Sequence, residues 1–338
     1  HIAGEHAASE RAHADAFFAA EASRSDIIAA QAAIELVAGT MQEATPGAQP
    51  WSRHAQAQID LIAADAPGEA LRLQAELTHA LGTVQVHTGD HAQAERSFLR
   101  ALALRARIPD DDRLRRAALH NNLGNLQVRR GDLQAAEDSL GQASALYIAE
   151  LGEQHPSVAV ALNNLGEVQM RRGQLAAAQR TYTRAHAIFV AGLGEQHPNV
   201  GIVLNNLGDV LQRQGQPVAA EELYLRALAI FSASFGAEAP PLAYPLTGLG
   251  EALLAQGRGA EALPRLELAL RLRDVGSPVE LARTRFALAR ALWTRASEQT
   301  TRDRARDLAA LARDDLSAAG SSSTRELREV LLWLAAHG

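Results

Sequence analysis

Apolar residues recur along most of the chain at the three- and four-residue spacing of amphipathic helices. The stretch from His155 to Gly194 shows the pattern of one unit, which predicts two helices joined by a short turn. The first helix is predicted to begin at Pro156, because a proline costs little in the first helical turn. It is predicted to end at Gly173, since glycine readily adopts the left-handed conformation of a helix terminus. The second helix begins near Gln174, and its apolar residues again share one face.

This unit of two helices is repeated every 42 residues. Asn-Asn-Leu-Gly occupies residues 121–124, 163–166 and 205–208, and degenerate copies lie at 79–82 and 247–250. The turn glycine recurs in the same register as Gly89, Gly131, Gly173, Gly215 and Gly257. The second helix repeats a small, a bulky and another small position, as in Ala178, Tyr182 and Ala185. A fixed period of this size predicts a repeat architecture, in which small residues let helices approach closely and bulky residues fill the gaps.

The leucine–glycine pair, the turn glycine and the alanine, bulky and alanine positions resemble the tetratricopeptide repeat (TPR) over about residues 70 to 273. The period and the Leu-Gly-Glu-Gln-His-Pro linkers at 151–156 and 193–198 resemble the longer subtype found in kinesin light chains. The resemblance implies an all-α fold, a right-handed superhelical solenoid of antiparallel helix pairs. The sequence departs from the family late in the first helix, where the usual tyrosine is replaced. The residues at this position are Gln85, Gln127, Gln169, Leu211 and Leu253.

Helical segments flank the repeats on both sides. At the front we predict an N-terminal helical segment at 1–48 with a break near 23–26, a proline-containing linker at 45–50 and a half-repeat helix at 49–66 that leads into the array. Five TPR-like repeats are predicted at 67–273. A degenerate sixth helix pair at 274–320 and a C-terminal capping helix at 321–338 are predicted to follow them. Ser323 and Glu326 have the spacing of a capping box, which predicts the start of the last helix. A terminal helix of this kind is expected to cap a solenoid.

The N-terminal segment resembles part of another family. A helix that ends near residue 36, a proline-containing loop, the Ile-Asp-Leu sequence at 59–61 and the 42-residue repeats are similar to the tail of certain bacterial serine/threonine kinases. This resemblance implies a regulatory tail that follows a kinase domain and often a transmembrane helix. The chain begins with His1, and its 33 basic residues are all arginine, so we interpret it as part of a longer protein from a GC-rich bacterial genome. A cytoplasmic location is expected, or an extracytoplasmic one if a transmembrane helix precedes the repeats.

The composition restricts the chemistry that the chain can perform. There is no cysteine and no lysine, which excludes zinc–thiolate sites, thiol catalysis, a P-loop and Schiff-base lysines. Aromatic residues make up 4% of the chain, which favours helices packed through small residues over strands. The net charge is −6 and arginines alternate with acids, so no nucleic-acid partner is expected. No apolar run reaches the roughly 18 residues of a membrane span.

Candidate catalytic patterns have simpler interpretations. The glycines at 248–259 lack the spacing of a dinucleotide-binding loop. His87 and His91 are four residues apart, but a turn is predicted between them, so no metal site is expected. His155 and His197 precede prolines and are interpreted as residues that start helices. We therefore predict a non-enzymatic protein without a cofactor or a metal.

Polar side chains are predicted to line one face of the first helices, once per repeat. Residues four apart share a helix face, so Asn163 aligns with Glu167 and Arg171. The amide offers a donor and an acceptor, which suits the backbone of an extended peptide; the resemblance agrees, since the equivalent asparagines of kinesin light chains contact a cargo peptide. The predicted peptide-binding residues are Asn121, Asn122, Asn125, Arg129, Asn163, Asn164, Glu167, Arg171, Asn205, Asn206, Asp209, Arg213 and Glu251. Two alternatives stay open: the second asparagine of each pair could join neighbouring helices, and the arginines could compensate the charge of helix ends.

Three functions are compatible with these features. The first and preferred one is a scaffold that binds an extended peptide or a partner protein in a concave groove, without nucleic acid or membrane insertion. The second is the regulatory tail of a membrane-tethered kinase. The third is a hydrolase or small-molecule binder in the irregular stretches at 1–50 and 274–278. Large apolar residues near the ends are expected to seal a monomer rather than to mediate self-association. They are Phe17, Phe18, Trp51 and Trp333.

Overall fold

The computed structural model describes residues 2–22, 25–39, 48–109, 113–273, 277–294, 298–320 and 324–337. Within these ranges all regular structure is helical. The helices are α1 (Ile2–Ala22), α2 (Asp26–Gly39), α3 (Ala48–Ile62), α4 (Pro67–His87), α5 (His91–Arg105), α6 (Arg113–Arg130), α7 (Leu133–Leu151), α8 (Pro156–Arg171), α9 (Leu175–Leu193), α10 (Pro198–Arg213), α11 (Pro217–Phe235), α12 (Ala243–Ala255), α13 (Gly259–Leu272), α14 (Pro278–Trp293), α15 (Gln299–Ala319) and α16 (Thr324–His337). A 3-10 turn at Pro240–Leu242 precedes α12. The predicted all-α fold is confirmed.

Several sequence predictions fall wholly or partly outside the described residues. They are the break at 23–26, the linker at 45–50, the serine of the capping box at 323 and the irregular stretch at 274–278. The helix that the capping box was expected to start is present as α16.

The helices group into two compact units, His1–Gly152 with α1 to α7 and Glu153–Gly338 with α8 to α16. In the first unit α4 pairs with α5 and α6 pairs with α7. In the second unit the pairs are α8 with α9, α10 with α11, α12 with α13 and α14 with α15. The second helix of a pair also packs against the first helix of the next pair, as α9 does against α10. The division between the units lies inside the predicted array of repeats, and the predicted domain boundaries stay predictions.

A glycine and a bulky side chain interlock inside each of the five repeats. A Cβ atom at Gly166 would lie 2.7 Å from the ring of Tyr182, so only glycine lets α8 approach α9 this closely. The same relation holds in register for Gly82 with Phe98, Gly124 with Leu140, Gly208 with Tyr224 and Gly250 with Leu266. The five bulky side chains are fully buried. The poor helix former in each first helix is therefore a requirement of packing.

A second contact inside the pairs changes its chemistry along the chain. The hydroxyl of Thr181 donates to Gln169 Oε1 at 2.8 Å. The same hydrogen bond joins Ser97 to Gln85 and Ser139 to Gln127. In the next repeat, the residues that correspond to Gln169 and Thr181 are Leu211 and Leu223, and their side chains lie in one apolar cluster. Because a buried glutamine needs a hydrogen-bond partner, both positions change together. The glutamines that replace the tyrosine of the family thus join the two helices of a pair.

Each of the two Glu-Gln-His-Pro linkers ends in a histidine that caps the following helix. His155 Nδ1 accepts a hydrogen bond from the backbone N–H of Ser157 at 3.2 Å. His197 Nδ1 accepts one from the backbone N–H of Asn199 at 3.1 Å. A proline follows each histidine as the first helical residue. Both histidines therefore start helices, as predicted, because they satisfy one of the unpaired N–H groups of the first turn.

Large aromatic residues near the two ends pack within their own units. Phe17 is buried, and its ring lies 5.4 Å from that of Trp51. The ring of Trp333 lies 5.5 Å from that of Trp293 and 6.0 Å from that of Phe286. These contacts are the ones expected of residues that seal the ends of a helical stack, whereas Phe18 is 58% exposed and does not seal the end. The oligomeric state stays a prediction.

Candidate binding face of the first helices

The polar residues predicted to bind a peptide lie mostly on the side of the first helices that faces away from the second helices. In α10 this side carries Ile202, Asn206, Asp209 and Arg213, which are three or four residues apart and exposed or half-buried. The other side of α10 packs against α9 and α11. We call the uncovered side of the first helices the open face.

The second asparagine of a pair joins neighbouring first helices. Asn206 Nδ2 donates to Asn163 Oδ1 at 2.9 Å, which links α10 to α8. In the equivalent register of the first unit, Asn122 Nδ2 lies 2.9 Å from His79 Nε2, which links α6 to α4. We call these contacts the amide ladder. They are the contacts that the stacking interpretation of the second asparagine predicts.

In the second unit the amide ladder stops at Asn205. In α12 the residue that corresponds to Asn206 is residue 248, a glycine, which has no amide side chain to donate to Asn205. The ring of Tyr224 takes that space, since a Cβ atom at Gly248 would lie 2.4 Å from it. Asn205 is only 9% exposed, and its Oδ1 has no hydrogen-bond partner among the described residues. Asn205 Oδ1 therefore remains an unused hydrogen-bond acceptor beneath the open face.

His79 stands where later repeats have the first asparagine, and it makes the ladder sensitive to pH. Burial, together with the charges of Arg105 and Arg115, lowers the pKa of His79 from 6.5 to about 4. The neutral ring can accept the hydrogen bond from Asn122. Between these two pKa values the unfolded chain binds a proton that the folded chain does not. Stability is therefore lost as the pH falls from 6.5 towards 4, by about 2 kcal/mol at pH 5.

Replacing His79 with asparagine is expected to remove this pH dependence. The variant has the side chain of the later repeats, so Asn122 can donate to it as in the second unit. Urea unfolding at pH 7 and at pH 5 measures the effect, and we expect His79→Asn to lose about 2 kcal/mol less than the natural chain on acidification. His120 and His186, whose pKa values burial also lowers, are present in both chains and cancel. Equal losses in the two chains would contradict the prediction.

Two acidic residues of the open face share one arginine. Arg283 of α14 donates to Asp209 at 2.7 Å and to Glu251 at 2.6 Å. Asp209 also accepts a hydrogen bond from the hydroxyl of Tyr224 at 2.7 Å. Burial lowers the pKa of Arg283, but the two carboxylates outweigh it and hold the pKa well above its usual value. Burial and the charge of Asp209 raise the pKa of Tyr224 well above its usual value. Asp209 and Glu251, two of the predicted peptide-binding residues, thus have partners within the chain.

Arg283 also connects three first helices of the second unit. It lies on α14, whereas Asp209 lies on α10, and α12 with Glu251 lies between them. The ion pair between Arg283 and Asp209 therefore links two first helices that are not neighbours, across α12.

The arginines at the ends of the first helices are exposed. Arg171 pairs with Glu167 one turn earlier at 2.7 Å, and Arg213 lies 3.9 Å from Glu326 of α16. Arg129 lies in the last turn of α6, where a positive charge also suits the helix dipole. The remaining predicted residues, Asn121, Asn125, Asn163 and Asn164, are half-buried. Asn121 and Asn164 have further interaction partners within the chain. Peptide binding by these residues stays a prediction.

The sequence pattern of the tetratricopeptide repeat matches residues 73–149, 157–233 and 200–274, which together make up more than half of the chain. The chain belongs to the tetratricopeptide repeat family. Members of this family are generally scaffolds for protein–protein interactions. None of the curated proteins matches this TPR chain. The predicted association with a kinase stays a prediction.

Solved structures share the fold of this TPR chain. BtubC (BKLC) from P. vanneervenii is 24% identical, with 66% of this chain and 88% of BtubC covered and a TM-score of 0.57. A Rap protein complexed with Competence and Sporulation Factor is 14% identical, with 99% of both chains covered and a TM-score of 0.59. The TPR-like repeats of a kinesin light chain from Podosopora anserina are 23% identical, with 59% of this chain and 96% of the other covered and a TM-score of 0.49. The similarity of these structures to this chain concerns the fold.

One set of residues on the open face of this TPR chain is hidden in the sequence pattern. Val160, Ile202 and Tyr244 occupy the same register on α8, α10 and α12 and are 38%, 43% and 43% exposed. Each lies three residues before the first position of the Asn-Asn pair or its degenerate copy. In the sequence these three residues cannot be distinguished from core residues, because they are apolar and fit the helical spacing of the other apolar residues. Their recurrence at 42-residue steps, where polar residues surround them, is the signal that could reveal them.

The described part of this TPR chain holds no group of three or more histidine, aspartate or glutamate side chains that could bind a metal ion. In the same residues, every helix is too short or too polar to cross a membrane.

Proposed function

We propose that the chain is a non-enzymatic scaffold that binds an extended segment of a partner protein on the open face. The observation that carries this proposal is the recurrence of polar and apolar side chains, in register, on the uncovered side of α8, α10 and α12. Side chains whose only role is to pack neighbouring helices together would be buried between those helices. The Rap protein that is similar to this chain over its whole length was solved as a complex with a factor, which agrees with the proposal.

The amide ladder suits recognition of a backbone even though it is used within the chain. An asparagine side chain has two N–H donors and an oxygen that can accept two hydrogen bonds. The bond from Asn206 to Asn163 uses one donor and one acceptor site. Asn163 also donates to Asn164 at 3.4 Å, and Asn206 also accepts from Asn205 at 3.5 Å. One N–H and one acceptor site of each residue remain for a ligand. Each hydrogen bond is worth about 1 kcal/mol net, which favours binding that tolerates different sequences. Selectivity must then come from other side chains of the open face.

A bulky label on the open face is expected to block peptide binding. The chain has no cysteine, so Arg171→Cys creates a single attachment site on the open face, and Thr183→Cys creates one on the exposed side of α9. Peptides are first selected from a random library on the unmodified chain. We expect a maleimide dye at position 171 to weaken their binding by about tenfold or more, measured by calorimetric titration. The same dye at position 183 should leave binding unchanged.

Both labelled positions are exposed, so circular dichroism should show folded chains in each case. The proposal fails if the library yields no binding peptide. It also fails if the dye at position 183 blocks the selected peptides while the dye at position 171 does not.

A further inference from the structure

A polar cavity lies between α3, α4 and α5 of the first unit. Its volume is about 580 Å³, and residues of all three helices line it. The residues of α4 that line it include Gln74, Thr78 and Gln85. The α4 residues that correspond to the open face of α10 are 76, 80, 83 and 87, and none of them lines this cavity. The cavity is therefore distinct from the candidate peptide-binding surface, and its volume is typical of a small-molecule site.

Three arginines line the cavity, and none of them has a carboxylate partner among the described residues. Arg53 lies on α3, and Arg96 and Arg100 lie one turn apart on α5. Arg96 donates from Nε to the side-chain oxygen of Gln93 at 3.1 Å, which brings no negative charge. The described residues that line the cavity include no acidic side chain. Because arginine stays protonated in proteins, three positive charges remain uncompensated there.

The acidic residues of the three helices interact with other side chains. The acids and their partners are Asp60 with Gln56, Glu95 with Arg130, Glu69 with Arg72, and Glu76 with Arg115. The helices that form the cavity thus supply no counter-ion to its three arginines.

The glutamines of the cavity leave hydrogen-bond donors unused. Gln74, Gln85 and Gln93 each use the side-chain oxygen as an acceptor within the chain. Their Nε2 groups have no hydrogen-bond partner among the described residues. An amide nitrogen carries two N–H donors. The cavity therefore offers donors and positive charge, and a matching ligand must supply acceptor oxygens and negative charge.

The packing of a repeat does not require polar residues at the base of this cavity. Gln74 is half-buried and Thr78 is buried, and we call these two residues the polar floor. In the third repeat the corresponding residues are Val158 and Leu162, which are buried in the core. The fourth repeat also has buried apolar residues at both positions. The polar floor is thus a feature of the first repeat, where three arginines line the same cavity.

Phosphate groups suit these donors. The guanidinium group binds phosphate with two parallel hydrogen bonds. A phosphate ester carries about −1.5 to −2 charges near neutral pH and three strong acceptor oxygens, so two linked phosphate groups balance three arginines. The described residues that line the cavity include no aromatic side chain, so the cavity provides no ring on which a nucleobase could stack.

We infer that the cavity binds a small molecule with two linked phosphate groups. Arg53, Arg96 and Arg100 supply the positive charge, and the side-chain amides of Gln74 and Gln85 supply further donors. This site is independent of peptide binding by the open face.

Calorimetric titration of the 338-residue chain with inorganic pyrophosphate at about 0.15 M salt tests the inference. We expect the natural chain to bind pyrophosphate. The double variant Arg96→Gln with Arg100→Gln should weaken binding about tenfold or more, because it removes charge-assisted hydrogen bonds. Gln74→Val introduces the residue of the third repeat, keeps every arginine and should weaken binding about fivefold. Citrate, a tricarboxylate, should bind the natural chain about tenfold more weakly than pyrophosphate.

The matched control is the double variant Arg180→Gln with Arg184→Gln on α9. These exposed arginines correspond to Arg96 and Arg100, but the third repeat has apolar residues in place of the polar floor. The control removes the same charge and should bind pyrophosphate like the natural chain. All four arginines are exposed, so circular dichroism should show folded chains. The inference is overturned if the natural chain does not bind pyrophosphate, or if both double variants weaken binding equally. Natural affinity in Gln74→Val, or citrate binding as tight as that of pyrophosphate, would also overturn it.

Discussion

Replacing Arg283 with methionine is expected to lower the free energy of unfolding by about 2–3 kcal/mol. The variant leaves Asp209 and Glu251 close to each other without their shared cation. The side chains of Arg283, Asp209 and Glu251 are only 27%, 12% and 19% exposed, so water cannot fully replace the arginine. Removing one partner of a fully buried ion pair costs about 3–5 kcal/mol, and the partial exposure here reduces that figure.

Urea denaturation followed by circular dichroism measures this loss. A triple variant that combines Arg283→Met with Asp209→Asn and Glu251→Gln removes all three charges and should recover most of the stability. Arg184→Met is the surface control, because Arg184 pairs with Glu153 at 3.2 Å with side chains that are 46% and 69% exposed. We expect that control to cost less than about 1 kcal/mol. If both single arginine variants lose the same small amount, the carboxylates near Arg283 are better solvated than the structure indicates.

A single methyl group at Gly248 is expected to destabilise the chain by about 2–3 kcal/mol. Alanine normally stabilises a helix relative to glycine, but the new Cβ atom would lie 2.4 Å from the ring of Tyr224. That ring is fully buried, and a Cβ atom at Gly208 would lie 2.6 Å from it. Tyr224 cannot easily move away, because its hydroxyl is bonded to Asp209. The gain in helix propensity is therefore smaller than the cost of overpacking.

Gly141→Ala provides the matched control for Gly248→Ala. Gly141 lies within α7, is exposed, and has nothing within 4 Å of an added Cβ atom. Without a clash, the substitution should stabilise the chain by about 0.5–1 kcal/mol. Thermal melts of the two variants should thus shift in opposite directions. A rise in melting temperature for both would mean that Tyr224 gives way at little cost.

The repeats can be predicted from the sequence because their determinants are local and periodic. Pro156 and Gly173 limit a helix through their own backbone preferences. Gly166 and Tyr182 recur together in each unit because one side chain needs the space that the other leaves. Because each of these local signals recurs every 42 residues, the helices and their pairing can be predicted without knowledge of long-range contacts.

The roles of the site residues are less predictable, because they depend on which neighbour each side chain meets. The sequence allows Asn206 either to face a ligand or to bond to Asn163, and only the structure shows the bond across the two helices. Arg283 lies 74 residues after Asp209 in the degenerate sixth pair, outside the 42-residue register. A periodic pattern therefore cannot reveal that it neutralises Asp209 and Glu251.

Gln169 and Thr181 of one repeat are both replaced by leucine in the next repeat, at Leu211 and Leu223. This paired change limits how the repeats of this array can have been recombined during evolution. A genetic crossover that fused α8 to α11 would set Gln169 against Leu223 and bury an amide without a partner. Such an orphan would cost about 1–3 kcal/mol. A crossover in the linkers instead moves both helices together and keeps every such couple intact. The intact hairpin is thus the smallest piece that duplication, or an engineer building longer arrays, can copy without separating these two partner positions.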